Sequence, residues 1–387
     1  LSIDMYLPSL PAIADDLGAD LGEVQSTLTA FFIGLCAGML VHGPLSDRLG
    51  RRPVLLGGIV VYIAASLGCA LAPAIEGLMW LRFAQALGGA AGSVLSRTVI
   101  RDLFDGREAA RAQSLMMSVM ALAPLVAPLI GAQVLHLAGW RAVFWLLVGY
   151  GVLSFAAVLF LLPETLPPGR RLVGGIGKAF HGYLRVLAQP VSVGYVVCGT
   201  TAFGGMFAYI TGSPIVYQRH FGLSPDAFAL LFALNILAIF FANLLNRRLL
   251  TRSSSGPITA AAAAVVFAAG WMLVLASLTG WGGVAGIAAG LFCFIGSLPL
   301  LGANCLAELL QRFPSNAGAA AATYSVTQFA LAAVASLAVL AISGSDAGPL
   351  GMALVMAAAG SISLAARCLL PWLERLTDRG SSASASP

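Results

Sequence analysis

Gly43-Pro44-Leu45-Ser46-Asp47-Arg48-Leu49-Gly50-Arg51-Arg52 is a charged stretch flanked by two runs, Val24–Ser46 and Val54–Ala72, that hold no Asp, Glu, Lys or Arg. A helical membrane span needs about 20 consecutive apolar residues. The stretch therefore reads as a short basic turn joining two membrane-spanning helices. The rest of the 387-residue chain agrees, with 59% hydrophobic and only 10% charged residues, against roughly a quarter charged in soluble proteins.

Further charge-free runs lie at Ala112–Trp140, Ala142–Pro163, Val191–Gln218, Ala227–Asn246, Gly256–Ala307, Phe313–Ser345 and Ala347–Ala366. Gly256–Ala307 is too long for one span and folds back near Thr279-Gly280-Trp281-Gly282. With a first helix ending near Ile13 and read as truncated in this numbering, the spans fall near 24–44, 54–73, 77–100, 110–135, 142–162, 191–213, 225–246, 257–278, 283–307, 317–342 and 348–370. The expected fold is all-α and integral to the membrane: twelve helices in two six-helix bundles, 1–163 and 191–370, with a linker at 164–190 and a tail at 371–387.

The distribution of Lys and Arg sets orientation, since cytoplasmic loops collect them. Of the 21 such residues, Arg141 and Arg219 fall on the side opposite Gly43–Arg52, Arg82 and Arg97 fall inside the fourth helix, and all others share the side of that turn, among them Arg170, Arg171 and Lys178 in the linker. Both termini are expected in the cytoplasm. The net charge of +5 is a topology signal, not a nucleic-acid footprint. The closing Ser381–Pro387 reads as a disordered tail. The six cysteines form no CxxC pair and read as packing residues, with no metal site or disulfide framework. No GxxxxGK[ST], HExxH or GxSxG constellation is present, so neither ATP hydrolysis, nor a cofactor, nor intramembrane enzyme chemistry is expected.

An ionisable group inside a span is costly and functional by default. Asp4, about nine residues or roughly 14 Å from the outer end of helix one, and Arg82, near the outer end of helix four, are the two candidates. Facing each other, the arginine would favour the ionised carboxylate and burial the neutral one, which suits a group that loads and releases a proton. Pro124 and Pro128 lie four apart on one face of helix five and bend it. Gly34/Gly38 and Gly88/Gly92 have the spacing of close helix contacts. Polar and aromatic residues within apolar spans are candidates to line a cargo cavity: Tyr6, Gln25, Phe31, Gln85, Gln113, Phe207, Tyr209, Asn235, Asn304 and Gln328.

The stretch Gly43–Arg52 with Pro53-Val54-Leu55-Leu56 resembles the signature loop of the major facilitator superfamily, and Leu81–Gly88 its helix-four motif. Ala123-Pro124-Leu125-Val126-Ala127-Pro128-Leu129-Ile130-Gly131, Leu1–Pro8 and Arg101-Asp102 are similar to the Bcr/CflA drug-resistance branch. Ala132 stands where a second Gly is usual, and the matching loop of the second half, Asn246–Arg252, is degenerate. The resemblance implies a monomeric antiporter exchanging protons for drug-like cargo by alternating access. It places Gly43, Asp47, Arg48, Gly50, Arg51, Arg52, Arg101 and Asp102 in a cytoplasmic gate, with Asp47 expected against Arg101. Asp4 and Arg82 are implied in proton coupling, and Pro124, Pro128 and Gly131 in the antiporter motif. Export of one metabolite, a siderophore, dipeptide or amino-acid derivative, is the alternative task for the same fold.

Overall fold

The computed structural model describes residues 1–167, 169, 184–313, 317–343 and 348–383. Arg170, Arg171, Lys178 and the last residues of the tail lie outside the described residues. All regular structure among the described residues is helical. Leu1–Tyr6 form turns that lead through a 3-10 turn, Leu7–Ser9, into α1 (Leu10–Leu17), and then follow α2 (Leu21–Leu49), α3 (Arg51–Leu71), α4 (Ile75–Leu103), α5 (Gly106–Ala138) and α6 (Trp140–Leu161). The second half supplies α7 (Pro190–Ile215), α8 (Pro225–Leu250), α9 (Ser255–Thr279), α10 (Gly283–Arg312), α11 (Ala317–Ser343) and α12 (Leu350–Ala383).

Ten of these helices are long and apolar enough to cross a membrane. The other long helix, α4, falls outside that set because Glu76, Arg82, Arg97, Arg101 and Asp102 dilute its apolar content. Two local signals start the chain's helices as their residues dictate. Pro8 and Pro11 sit in first turns, where a missing N–H costs nothing. Asp20 and Glu23 form a reciprocal capping box at the start of α2.

The ten-residue stretch read as a turn is almost entirely helical. Only Gly50 separates α2 from α3, at φ 104°, a conformation that favours glycine. Gly43 and Pro44 lie inside α2, so Gly43 supplies no turn. The charged residues extend the helix past the apolar span because their side chains bond to one another across the break. At the far end, α12 continues to Ala383, into the stretch read as a disordered tail.

The described residues divide into two compact units. One holds 1–167 with 211–233, and the other 184–210, 234–313, 317–343 and 348–383. In the first, α4 packs against both α2 and α3, and α3 against α6. In the second, α9 packs against α10 and α12. Glycine makes the α2–α4 approach possible. A Cβ on Gly34 would lie 3.0 Å from the Phe83 carbonyl carbon, and at the α3–α4 contact one on Gly88 would lie 2.7 Å from the Tyr62 nitrogen. Gly92, by contrast, meets nothing within 4 Å, so only the first member of its GxxxG spacing is a contact.

Candidate functional site

Arg51, the first residue of α3, is 7% exposed and organises one end of the first unit. Its Nη1 donates to Ser46 Oγ at 2.6 Å and to Asp47 Oδ1 at 2.5 Å, bridging the break at Gly50 from the last turn of α2. Its Nε donates to Asp102 Oδ2 at 3.4 Å, at the end of α4. Glu164, just past α6, completes the group: its two carboxylate oxygens accept from the backbone N–H of Arg51 at 2.9 Å and of Arg52 at 3.3 Å. A carboxylate at a helix N-terminus satisfies otherwise orphaned donors and complements the helix dipole. Arg52 Nη2 donates to the Leu159 carbonyl at 2.6 Å, tying the same helix start to α6.

Asp47, Arg51 and Asp102 are thus brought together. Arg48 and Arg101 are exposed and enter none of these bonds, and the ion pair of Asp47 is with Arg51. Glu164 escaped the sequence reading. Its one signal is position, as the first charge after the long run Ala142–Pro163.

Deeper in the same unit, Arg82 is fully buried. Its guanidinium lies between the rings of Tyr6, at 4.4 Å, and Phe31, at 4.3 Å, with Phe144 at 5.8 Å. Nη1 donates to the Ser2 carbonyl at 3.0 Å and to Gln85 Oε1 at 2.5 Å, and Gln85 in turn donates to Ser66 Oγ at 2.7 Å. Tyr6 shares a 2.8 Å hydroxyl hydrogen bond with Thr27. Asp4 lies on the same turn as Tyr6, and among the described residues no ion pair joins it to Arg82. Four of the residues named from sequence, Tyr6, Phe31, Arg82 and Gln85, therefore form one cluster.

Helix α5, which carries Pro124 and Pro128 in its interior, reaches this cluster through Gly131. A Cβ there would lie 2.9 Å from both the Cα and the carbonyl carbon of Met5. Pro128 is buried and Pro124 half-buried on the same helix. Gly131 is thus the point where α5 touches the backbone between Asp4 and Tyr6.

At the end of the unit opposite Gly50, the two arginines that the sequence placed apart from the others both have carboxylate partners. Arg141 pairs with Asp16, which also accepts from Trp140 Nε1 at 3.1 Å, and Arg219 pairs with Asp15. These two donors hold the Asp16 carboxyl below the usual carboxylate range. Asp226 accepts from Gln133 at 2.9 Å and lies 3.1 Å from His136 Nε2. These bonds and that of Gln25 to the Thr211 carbonyl, at 3.0 Å, join 211–233 to α1, α2 and α5.

The remaining cavity candidates are distributed. Gln113 is half-buried in α5. In the second unit, Phe207 stacks with Phe203 and Phe329 at 5.0 and 5.9 Å. Asn235 donates to the Tyr209 hydroxyl at 3.0 Å. Asn304 donates to Asn246 at 2.9 Å, and Gln328 is half-buried. Asn304–Asn246 and Ser255 to Glu308 Oε1 link α8, α9 and α10 where the degenerate second loop lies. Among the described residues no His, Cys, Asp and Glu group could hold a metal ion.

The comparisons with known proteins agree with this architecture. The chain is 34% identical over 348 residues to the bicyclomycin resistance protein homolog of Haemophilus influenzae, covering 90% of this chain and 87% of that one. It is 37% identical over 243 residues to a chloramphenicol resistance protein of Pseudomonas aeruginosa, covering 62% of this chain and 57% of that one. The crystal structure of a D-xylose-proton symporter superposes with a TM-score of 0.73 at 16% identity, over 95% of this chain and 93% of that one, a likeness of fold. The Major Facilitator Superfamily profile matches residues 1–337. This chain belongs to the major facilitator superfamily of membrane transporters.

Proposed function

We propose that the protein exports drug-like small molecules across the inner membrane by alternating access, driven by protons moving inward. The observation that carries this reading is the junction of Asp4, Arg82 and Gly131: an intramembrane carboxyl and a buried guanidinium on neighbouring elements, met by α5 at Gly131. The drug-resistance relatives support the cargo class, and their names supply it only by likeness.

In this reading a proton entering from outside neutralises Asp4. An intramembrane carboxyl is cheaper neutral than ionised, so its charge state biases the turn Leu1–Tyr6 against α5. The Arg51–Asp47–Asp102–Glu164 group acts as the cytoplasmic gate, with both termini on that side, and the monomer is the working unit. The test is proton-gradient-driven efflux by Asp4→Asn at matched expression. Loss of gradient-dependent export, with cargo binding retained, is expected. Undiminished efflux of every transported drug would remove Asp4 from the coupling step.

A further inference from the structure

Arg82 is wholly inaccessible, yet two of its nitrogens, Nε and Nη2, have no hydrogen-bond partner. Burying a charge without a counter-ion is among the costliest arrangements in a protein, so these donors call for an acceptor. The geometry defines what kind. Tyr6 and Phe31 both hold the guanidinium by cation–π contact, with ring centroids 4.4 and 4.3 Å from its Cζ. Ser2 and Gln85 occupy Nη1. What remains is the in-plane edge formed by Nε–H and Nη2–H, two parallel donors whose spacing matches the two oxygens of a carboxylate.

The partners of the guanidinium are themselves held, Gln85 by Ser66 and Tyr6 by Thr27. A permanent counter-ion would be expected on this edge in the resting fold. None of the recorded ion pairs of the described residues involves Arg82.

We infer that the Nε/Nη2 edge of Arg82 is a recognition site for a carboxylate carried by the cargo, with Tyr6 and Phe31 flanking it as aromatic walls. This deepens the export reading and rests on it: it names acidic, aromatic small molecules as a preferred cargo class.

Equilibrium dialysis of the full chain in lipid nanodiscs at pH 7.5, with no proton gradient, tests it. The probes are 1-naphthoate, 4-phenylbutyrate and 4-biphenylcarboxylate, each against its primary amide. At least one acid should bind wild type tenfold or more tightly than its amide. Arg82→Lys keeps the charge and removes the paired donors, and should bring acid and amide to within twofold while amide binding persists. Asp4→Asn should keep the preference with acid affinity within threefold of wild type.

If no acid outbinds its amide in wild type, the inference fails without recourse to any variant. It also fails if Arg82→Lys keeps the preference. A tenfold gain in acid affinity in Asp4→Asn would identify Asp4 as the resident occupant and overturn the assignment to cargo. Because binding is read without transport, each of these outcomes leaves gradient-driven export of a neutral drug separately measurable.

Discussion

Replacing Gly131 by alanine adds one methyl group at the contact between α5 and the turn that carries Asp4 and Tyr6. An ideal Cβ would stand 2.9 Å from two backbone atoms of Met5, where ordinary contact begins at 3.4 Å. The Met5 carbonyl oxygen would stand closer still, so the two segments must separate by more than about 0.5 Å, the difference of those distances, and backbone cannot swing aside as a flexible side chain does. Overpacking of this kind costs about 1–3 kcal/mol. Alanine also gains about 1 kcal/mol of helix propensity over glycine, which would mask part of the loss. Gly92→Ala supplies the correction, since Gly92 is helical, exposed and meets nothing within 4 Å. The propensity gain cancels between the two variants, and their difference in stability isolates the clash at about 1–3 kcal/mol. Unfolding of both variants in the same detergent by denaturant or heat measures it. Gly131→Ala should be the less stable and should export poorly, because the displaced turn carries the Tyr6 ring that covers Arg82. Equal stability of the two variants would refute the close contact and with it the coupling of α5 to the first helix.

Other outcomes follow from the same geometry. Glu164→Gln leaves a carbonyl oxygen to accept one N–H of α3 but removes the negative charge from the helix start, an interaction of about 0.3–1 kcal/mol. Turnover should fall more than cargo binding, and a pure binding defect would place Glu164 outside the gate. Asp47→Asn should do the same by weakening the ion pair to Arg51, whereas wild-type turnover would count against the gate. At the opposite end, the carboxyl of Asp16 is held below its ordinary value of 3.8. A depressed carboxylate contributes stability that is fully present above about 3.8 and is lost as the pH falls through its lowered value. Asp16→Asn should therefore destabilise the protein at pH 7 and lose that effect at strongly acidic pH; a pH-independent difference would show that the ion pair with Arg141 is not its source.

The membrane-spanning character was legible because the forces that set it act segment by segment. A run such as Val54–Ala72 is apolar by composition alone, and in lipid its backbone donors and acceptors have no partner but one another. Helix count and the special standing of Arg82, Asp47 and the α5 prolines follow from reading one stretch at a time. The same locality explains the error at Gly43–Arg52. Charge was taken as a sign of a loop, whereas Ser46, Asp47 and Arg51 bond across Gly50 and keep the helix going to the last residue before it.

Contacts between residues distant in sequence were not legible. Nothing in the spacing brings Glu164 to the backbone of Arg51, or sets the rings of Tyr6 and Phe31 against Arg82. The glycine of the antiporter motif could be recognised by its pattern, but its partner, the backbone of Met5, could not. The chain's own composition determined that it is an all-α membrane protein of many spans with a charged junction at Gly43–Arg52, because solvation acts on each segment independently. Only the tertiary structure decided which charges meet, which helices touch through glycine, and which edge of Arg82 is left free, because those depend on how helices far apart in sequence pack against one another.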